Sequence, residues 1–232
     1  MESSRSSPCR GIGTLSEKSL HAGLKDWYAS PGDQVEVEVD GFIIDIVRDG
    51  HLVEIQLRNL ASIRRKLTRL LENHSLSLVC PVAHQKWIVR QRAGSLISRR
   101  RSPKRGMVVD IFAELVYIPH LLLHPNLTIE VVLIREEEIL EDDGKGSWRR
   151  KRWSVYDRRL LEVLDKISLE TPEDFIGLLP SGLSMPFTNR ELSEELKRTR
   201  SLAQKMTYTL MKMDLICVAG KRKKSRLYQL AQ

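Results

Sequence analysis

The chain has 232 residues, long enough for two compact domains, and its 41% hydrophobic and 29% charged content is that of a core-forming protein. Lys plus Arg number 38 against 30 Asp plus Glu, and the net charge of +8 favours a polyanionic partner. No run approaches the roughly 18 apolar residues of a membrane span, Met1 to Gly13 lacks an apolar signal core, and three scattered cysteines form no CxxC pair. The expectation is therefore a cytoplasmic protein with no membrane partner and no thiolate metal site.

Residues 1–13 read as a disordered leader. Leu20, Leu24 and Tyr28 recur at helical spacing and predict a helix from Thr14 to Ala29, stopped by Ser30-Pro31-Gly32-Asp33. Three strands follow, Gln34–Val39, Phe42–Arg48 and His51–Leu57, joined by Asp40-Gly41 and Asp49-Gly50, a strong two-residue hairpin signal. Asn59 is placed to cap a helix reaching about Asn73. Leu76–Val82, Trp87–Arg90 and Leu127–Arg135 read as strands, and Met107–Tyr117 as a helix. Arg99–Gly106 reads as a basic loop, and Glu136–Glu138 as a solvated acidic turn. A domain boundary is expected in 144–153.

The two Asp-Gly turns fix a register for the meander. Paired numbers sum to 81 across the first hairpin and to 99 across the second, which aligns nine apolar positions in rows on one face. On the other face Asp45 falls opposite Glu54, with Glu36 on its far side. Cross-strand neighbours stand about 4.5–5.5 Å apart at Cβ, so these carboxylates repel unless a cation offsets them. Asp is a weak strand former, and Asp45 interrupts Phe-Ile-Ile-Asp-Ile-Val, so a metal site is the better reading of the Asp45/Glu54 pair. Glu36 reads better as solvated. Glu17 fits two readings: Thr14 and Glu17 form a capping box, and Glu17 also lies on the stripe of Leu20, Leu24 and Tyr28.

A helix bearing Glu17, a hairpin with Asp45, the tripeptide Glu54-Ile55-Gln56 and a following helix together resemble the PD-(D/E)XK, or restriction-endonuclease-like, superfamily over residues 14–90. The resemblance implies an α/β (α+β) fold, a mixed sheet flanked by helices, spanning residues 14–150. It further implies Mg²⁺ or Mn²⁺ held by Asp45, Glu54 and the Ile55 carbonyl, assisted by Glu17. The usual Lys of E-x-K is Gln56 here, which can hydrogen-bond a water but carries no charge to favour its deprotonation.

In the C-terminal part, Tyr156, Leu160, Val163, Leu164 and Ile167 suggest a helix. Thr188 and Glu191 form a capping box, Ser201–Met213 is helical, and Leu215–Ala219 and Arg226–Leu230 flank a basic hairpin. Residues 154–232 thus resemble a winged helix-turn-helix. The resemblance implies a recognition helix presenting Ser201, Gln204, Lys205 and Tyr208, and a wing carrying Lys221, Arg222, Lys223 and Lys224.

The combined expectation is a metal-dependent DNA endonuclease acting on double-stranded DNA, as a homodimer in the manner of similar nucleases. The alternative is a non-catalytic DNA-binding or regulatory protein on a degenerate nuclease-like scaffold, which the departure at Gln56 motivates.

Overall fold

A computed structural model describes residues 19–144 and 153–231. Glu17, the 1–13 leader and the basic cluster 149–152 lie outside the described residues. The first helix, α1, spans Ser19–Tyr28, and the meander strands are β1 (Gln34–Val39), β2 (Phe42–Arg48) and β3 (His51–Ile55). Asp40, Gly41, Asp49 and Gly50 all have positive φ, the backbone that a tight two-residue hairpin needs. The register sums of 81 and 99 hold from Val39↔Phe42 to Gln34↔Val47 and from Arg48↔His51 to Ile46↔Val53.

Helix α2 (Leu60–Leu71) leads into β4 (Leu76–Arg92), one 17-residue strand where two short ones are expected. Asn59 stands at the cap position in left-handed backbone but makes no side-chain cap; the Leu60 N–H is taken by Glu114 instead, at 3.1 Å. Arg99, Arg100 and Arg101 are not loop residues. They end β5 (Ser95–Arg101), which pairs with the second half of β4. Met107–Tyr117 forms a 3-10 turn (Val108–Ile111) and the single-turn helix α3 (Phe112–Leu115).

The largest departures are in β6 (Leu127–Glu141) and β7 (Ser154–Leu169). The segment expected as a helix is a strand antiparallel to β6, so β6 and β7 belong to one sheet. Its apolar spacing has a backbone cause. The β6–β7 register shifts three times, leaving Tyr156, Leu161 and Leu164 as extra residues on β7. Each bulge resets the two-residue alternation, and three of them imitate a helical period. The finished sheet has seven strands in the order β1-β2-β3-β4-β6-β7, with β5 added to β4 beyond the end of β3.

The acidic run is likewise not a solvated turn. Glu136, Glu137 and Glu138 lie on β6 between basic strands, and Glu136 is 0% exposed. Lys86 reaches Glu136 at 3.0 Å and Glu138 at 2.9 Å, Arg158 pairs with Glu136, and Arg99 meets Glu137 at 2.6 Å.

Both sheet faces are covered. Leu20 and Leu24 of α1 pack on Ile46, Val53, Ile55 and Val132. The opposite core holds Ile44, Leu52, Leu78 and Val131 with Leu67, Phe112 and Leu115. Ile44 and Ile46 therefore serve different cores rather than one apolar row. The larger core continues into the C-terminal elements: α4 (Pro172–Ile176), α5 (Asn189–Glu195), α6 (Arg200–Lys212), β8 (Ile216–Arg222) and β9 (Ser225–Leu230). These elements begin after β7 rather than at residue 154. Thr188 and Glu191 make the expected capping box of α5, and Phe187 bridges Tyr228 of β9. No helix among the described residues is long and apolar enough to cross a membrane.

Three stability outcomes follow. Glu136→Ala strands Arg158 beside a buried gap and should cost about 3–5 kcal/mol, read as a lower denaturant midpoint. Glu137→Ala, whose partner Arg99 is half exposed, should cost less than about 1 kcal/mol in the same titration. A Cβ at Gly106 would meet the Ala83 carbonyl oxygen at 2.6 Å and Val82 Cγ1 at 2.7 Å. Gly106→Ala should therefore push the 102–106 segment off β4 and cost about 1–3 kcal/mol.

Candidate active site

The site arises where β3 leaves β2. Continuing the register would pair Asp45 with Glu54 and Ile44 with Ile55. Instead β2–β3 pairing stops at Ile46↔Val53, and Glu54 and Ile55 pair in parallel with Leu78 and Val79 of β4. The freed Ile55 N–H donates to Asp45 Oδ2 at 2.8 Å. His21 of α1 reaches the Ile55 carbonyl with Nε2 at 3.0 Å and Asp45 Oδ2 at 3.3 Å. Both partners are acceptors, so this nitrogen carries a proton.

Glu54 is buried. Lys66 of α2 holds its Oε1 at 2.6 Å and also donates to the Ile43 carbonyl at 2.6 Å. The other oxygen, Glu54 Oε2, is buried and has no hydrogen-bond partner among the described residues. The two carboxyls titrate apart. Burial would raise Asp45, but the hydrogen bonds from His21 and the Ile55 N–H, with the nearby charge of Lys25, hold it below the usual range. Burial and the charge of Asp45 push Glu54 up, against the pull of Lys66. Opposed environments of this kind distinguish the members of a carboxyl pair.

Asp45, Glu54, Ile55 and Gln56 all line one cleft of about 410 Å³, together with His21, Arg58, Glu138 and Arg158. Gln56 Nε2 donates to the Arg58 carbonyl, which leaves its Oε1 as the acceptor end. Glu36 stands apart from the cleft and pairs with Lys25 at 2.7 Å. The sequence reading missed His21 and Lys66. His21 follows Glu17 by four residues, a helical spacing the sequence itself contains. Lys66 sits at the edge of an amphipathic stripe and looks like an ordinary surface lysine.

The residues expected on one face of a recognition helix are split between two edges of α6. Ser201 and Lys205 line a groove of about 810 Å³ against the sheet, where Lys205 donates to the Ala113 carbonyl at 2.9 Å. Gln204 and Tyr208 line an outer cavity of about 600 Å³ with Arg200, Lys212, Lys224 and Arg226. In the β8–β9 hairpin, Lys221, Lys223 and Lys224 are exposed, while Arg222 pairs with Glu191 at 2.5 Å.

A protein of Treponema pallidum (strain Nichols), described as an uncharacterized protein, is 39% identical over 154 residues. The match covers 66% of this chain, and the chain spans about 61% of that relative's length. No solved structure matches. Residues 18–170, from the start of α1 to the end of β7, match the family described as Domain of unknown function (DUF8091). That match takes in every strand of the large sheet and well over half the chain, and the chain belongs to this family.

Proposed function

We propose that this protein is a metal-dependent nuclease that hydrolyses phosphodiester bonds in DNA, with a winged-helix-like C-terminal module that grips the substrate. The observation that carries the reading is the convergence of Asp45, Glu54, the Ile55 carbonyl and Gln56 on one cleft bordered by Arg58 and Arg158.

The donor set suits Mg²⁺ or Mn²⁺. Two carboxylates and a backbone carbonyl are hard oxygen ligands, and Mg²⁺ is commonly held by one or two carboxylates with substrate phosphate and water completing the set. The unpartnered, buried Glu54 Oε2 is an acceptor that such an ion would satisfy. Asp45, Glu54 and the Ile55 carbonyl would hold the ion, with Glu17 assisting a ligand or a water. When bound, a divalent cation supplies charge neutralisation at the phosphate and an acidified water.

The remaining tasks fall to the chain. Gln56 Oε1 can accept a hydrogen bond from the attacking water and so orient its lone pair. Lys66 supplies, from α2, the positive charge that Gln56 does not. Arg58 and Arg158 stand where a substrate phosphate would enter and favour its approach.

A second reading has its own observation. Lys66 and His21 already compensate Glu54 and Asp45, which is what a non-catalytic DNA-binding scaffold would need. Metal binding separates the two. On the nuclease reading, Mn²⁺ binds in calorimetry without DNA, and plasmid is cut in Mn²⁺ or Mg²⁺. Asp45→Asn and Glu54→Gln should each lower cleavage by at least about 100-fold, the scale on which a key electrostatic group acts. Absent metal binding, or no cleavage by the wild type, would favour the scaffold instead, and equal cleavage by these variants would remove the two carboxylates from the reaction.

A further inference from the structure

The groove between the sheet and α6 is continuous with the carboxylate cleft, because Gln56, Leu57, Arg58, Glu138 and Arg158 line both. Its two walls are fixed to each other. Arg198, just before α6, pairs with Asp110 at 2.8 Å and donates to the Arg105 carbonyl at 2.9 Å. The 102–106 segment is tied to β4 by Ser102 N–H to the Lys86 carbonyl at 2.8 Å and Gly106 N–H to the Ala83 carbonyl at 3.0 Å.

The lining is apolar and charged, and its acids Asp110, Glu114 and Glu138 are engaged by Arg198, the Leu60 N–H and Lys86. Its apolar residues include Leu60, Val82, Ile88, Ile111 and Leu202. Its cations fall into two groups. Lys86, Arg158, Arg198 and Lys205 are engaged by Glu136 and Glu138, Glu136, Asp110 and the Ala113 carbonyl respectively. Arg58, Lys104 and Lys197 also line the groove and are exposed, and among the described residues none of these three side chains has an ion-pair partner.

We infer that this groove is the path of a single nucleic-acid strand, its bases against the apolar lining and its phosphates on Arg58, Lys104 and Lys197. The inference rests on the nuclease reading for its direction, since the path ends at Asp45 and Glu54. A duplex hides its base faces in the stack and offers phosphates and groove edges, so an apolar lining gains little from it. An unpaired strand has base faces to bury, and a cationic track beside apolar surface is how unpaired strands are held.

The test measures binding in EDTA, so that no hydrolysis is involved. The full chain is titrated into fluorescein-labelled single strands of about 12 nucleotides, a span within known single-strand sites, and into the blunt duplex of the same sequence. Deoxy- and ribo-strands are separate arms and identify which strand is preferred. The expected result is at least about tenfold tighter binding of one strand than of the duplex. Arg58→Ala/Lys104→Ala/Lys197→Ala should remove most of that affinity and lower the salt slope by about 2, near 0.7 per lost phosphate contact. Arg64→Ala/Arg65→Ala, exposed on α2 and lining neither the groove nor the cleft, should leave strand binding nearly unchanged. Equal or tighter duplex binding, or wild-type strand binding by the triple variant, would overturn the inference. The two readings fail separately. Strand binding through these three cations without cleavage in Mn²⁺ keeps the groove and sinks the nuclease. Wild-type cleavage of DNA by the triple variant keeps the nuclease and sinks the groove.

Discussion

Asp45 takes the Ile55 N–H that a longer β2–β3 ladder would have paired with backbone. β3 stays paired with β4 from Leu52 to Ile55, but its antiparallel ladder with β2 ends at Ile46↔Val53, so β2 diverges from the end of β3. Divergence exposes the Ile55 N–H and carbonyl on the β2 side, and an unsatisfied buried backbone group costs about 1–3 kcal/mol. Asp45 answers the N–H and His21 answers the carbonyl. The polar residues that hold the split open are therefore the ones the split collects into a cleft. Asp45 has a structural duty as well as any chemical one, and activity loss in its variants has meaning only beside an intact fold.

The charge distribution is organised around β6. Its glutamates face Lys86 on β4, Arg99 on β5 and Arg158 on β7, so much of the acidic content is neutralised inside the sheet. What remains outward is of both signs, with Asp26, Glu38, Asp49 and Glu72 exposed beside the cationic clusters. Arg99, Arg101 and Arg135 all lie 5.2–5.7 Å from the ring of Trp87, an arrangement that favours guanidinium over ammonium. The clusters at 99–105, 149–152 and 221–226 hold fourteen basic residues and no acid. The net +8 is thus concentrated in three cationic clusters rather than spread along the chain.

Local chemistry was readable where it acts alone. Asp-Gly dictates a tight turn whatever surrounds it, so the meander and its register followed from four residues. The Thr188–Glu191 capping box and the hairpin after α6 were legible for the same reason. What was hidden depends on partners distant in sequence. The bulges at Tyr156, Leu161 and Leu164 exist only against β6, and without them the strand reads as a helix. Glu136 looked solvated because Lys86 and Arg158 are 50 and 22 residues away. Asp45 and Glu54 could be found because a hairpin joins them. Lys66 could not, because only the packing of α2 brings it to the cleft.

Helix α6 shows how packing alters a reading that its sequence suggests. Ser201 and Lys205 are one turn apart, as are Gln204 and Tyr208, and the sequence places all four together as polar. Burial of Leu202, Ala203 and Met206 turns the two pairs to opposite edges. The outer edge lines a cavity with Arg200, Lys212, Lys224 and Arg226 and, among the described residues, no acid. The inner edge is fixed against the sheet by Lys205 and by Arg198 just before the helix. A module free to swing could grip DNA without regard to the cleft. One anchored in a shared core holds both α6 edges at a set distance from Asp45 and Glu54, so on the nuclease reading the grip itself measures where along the strand a phosphate is presented.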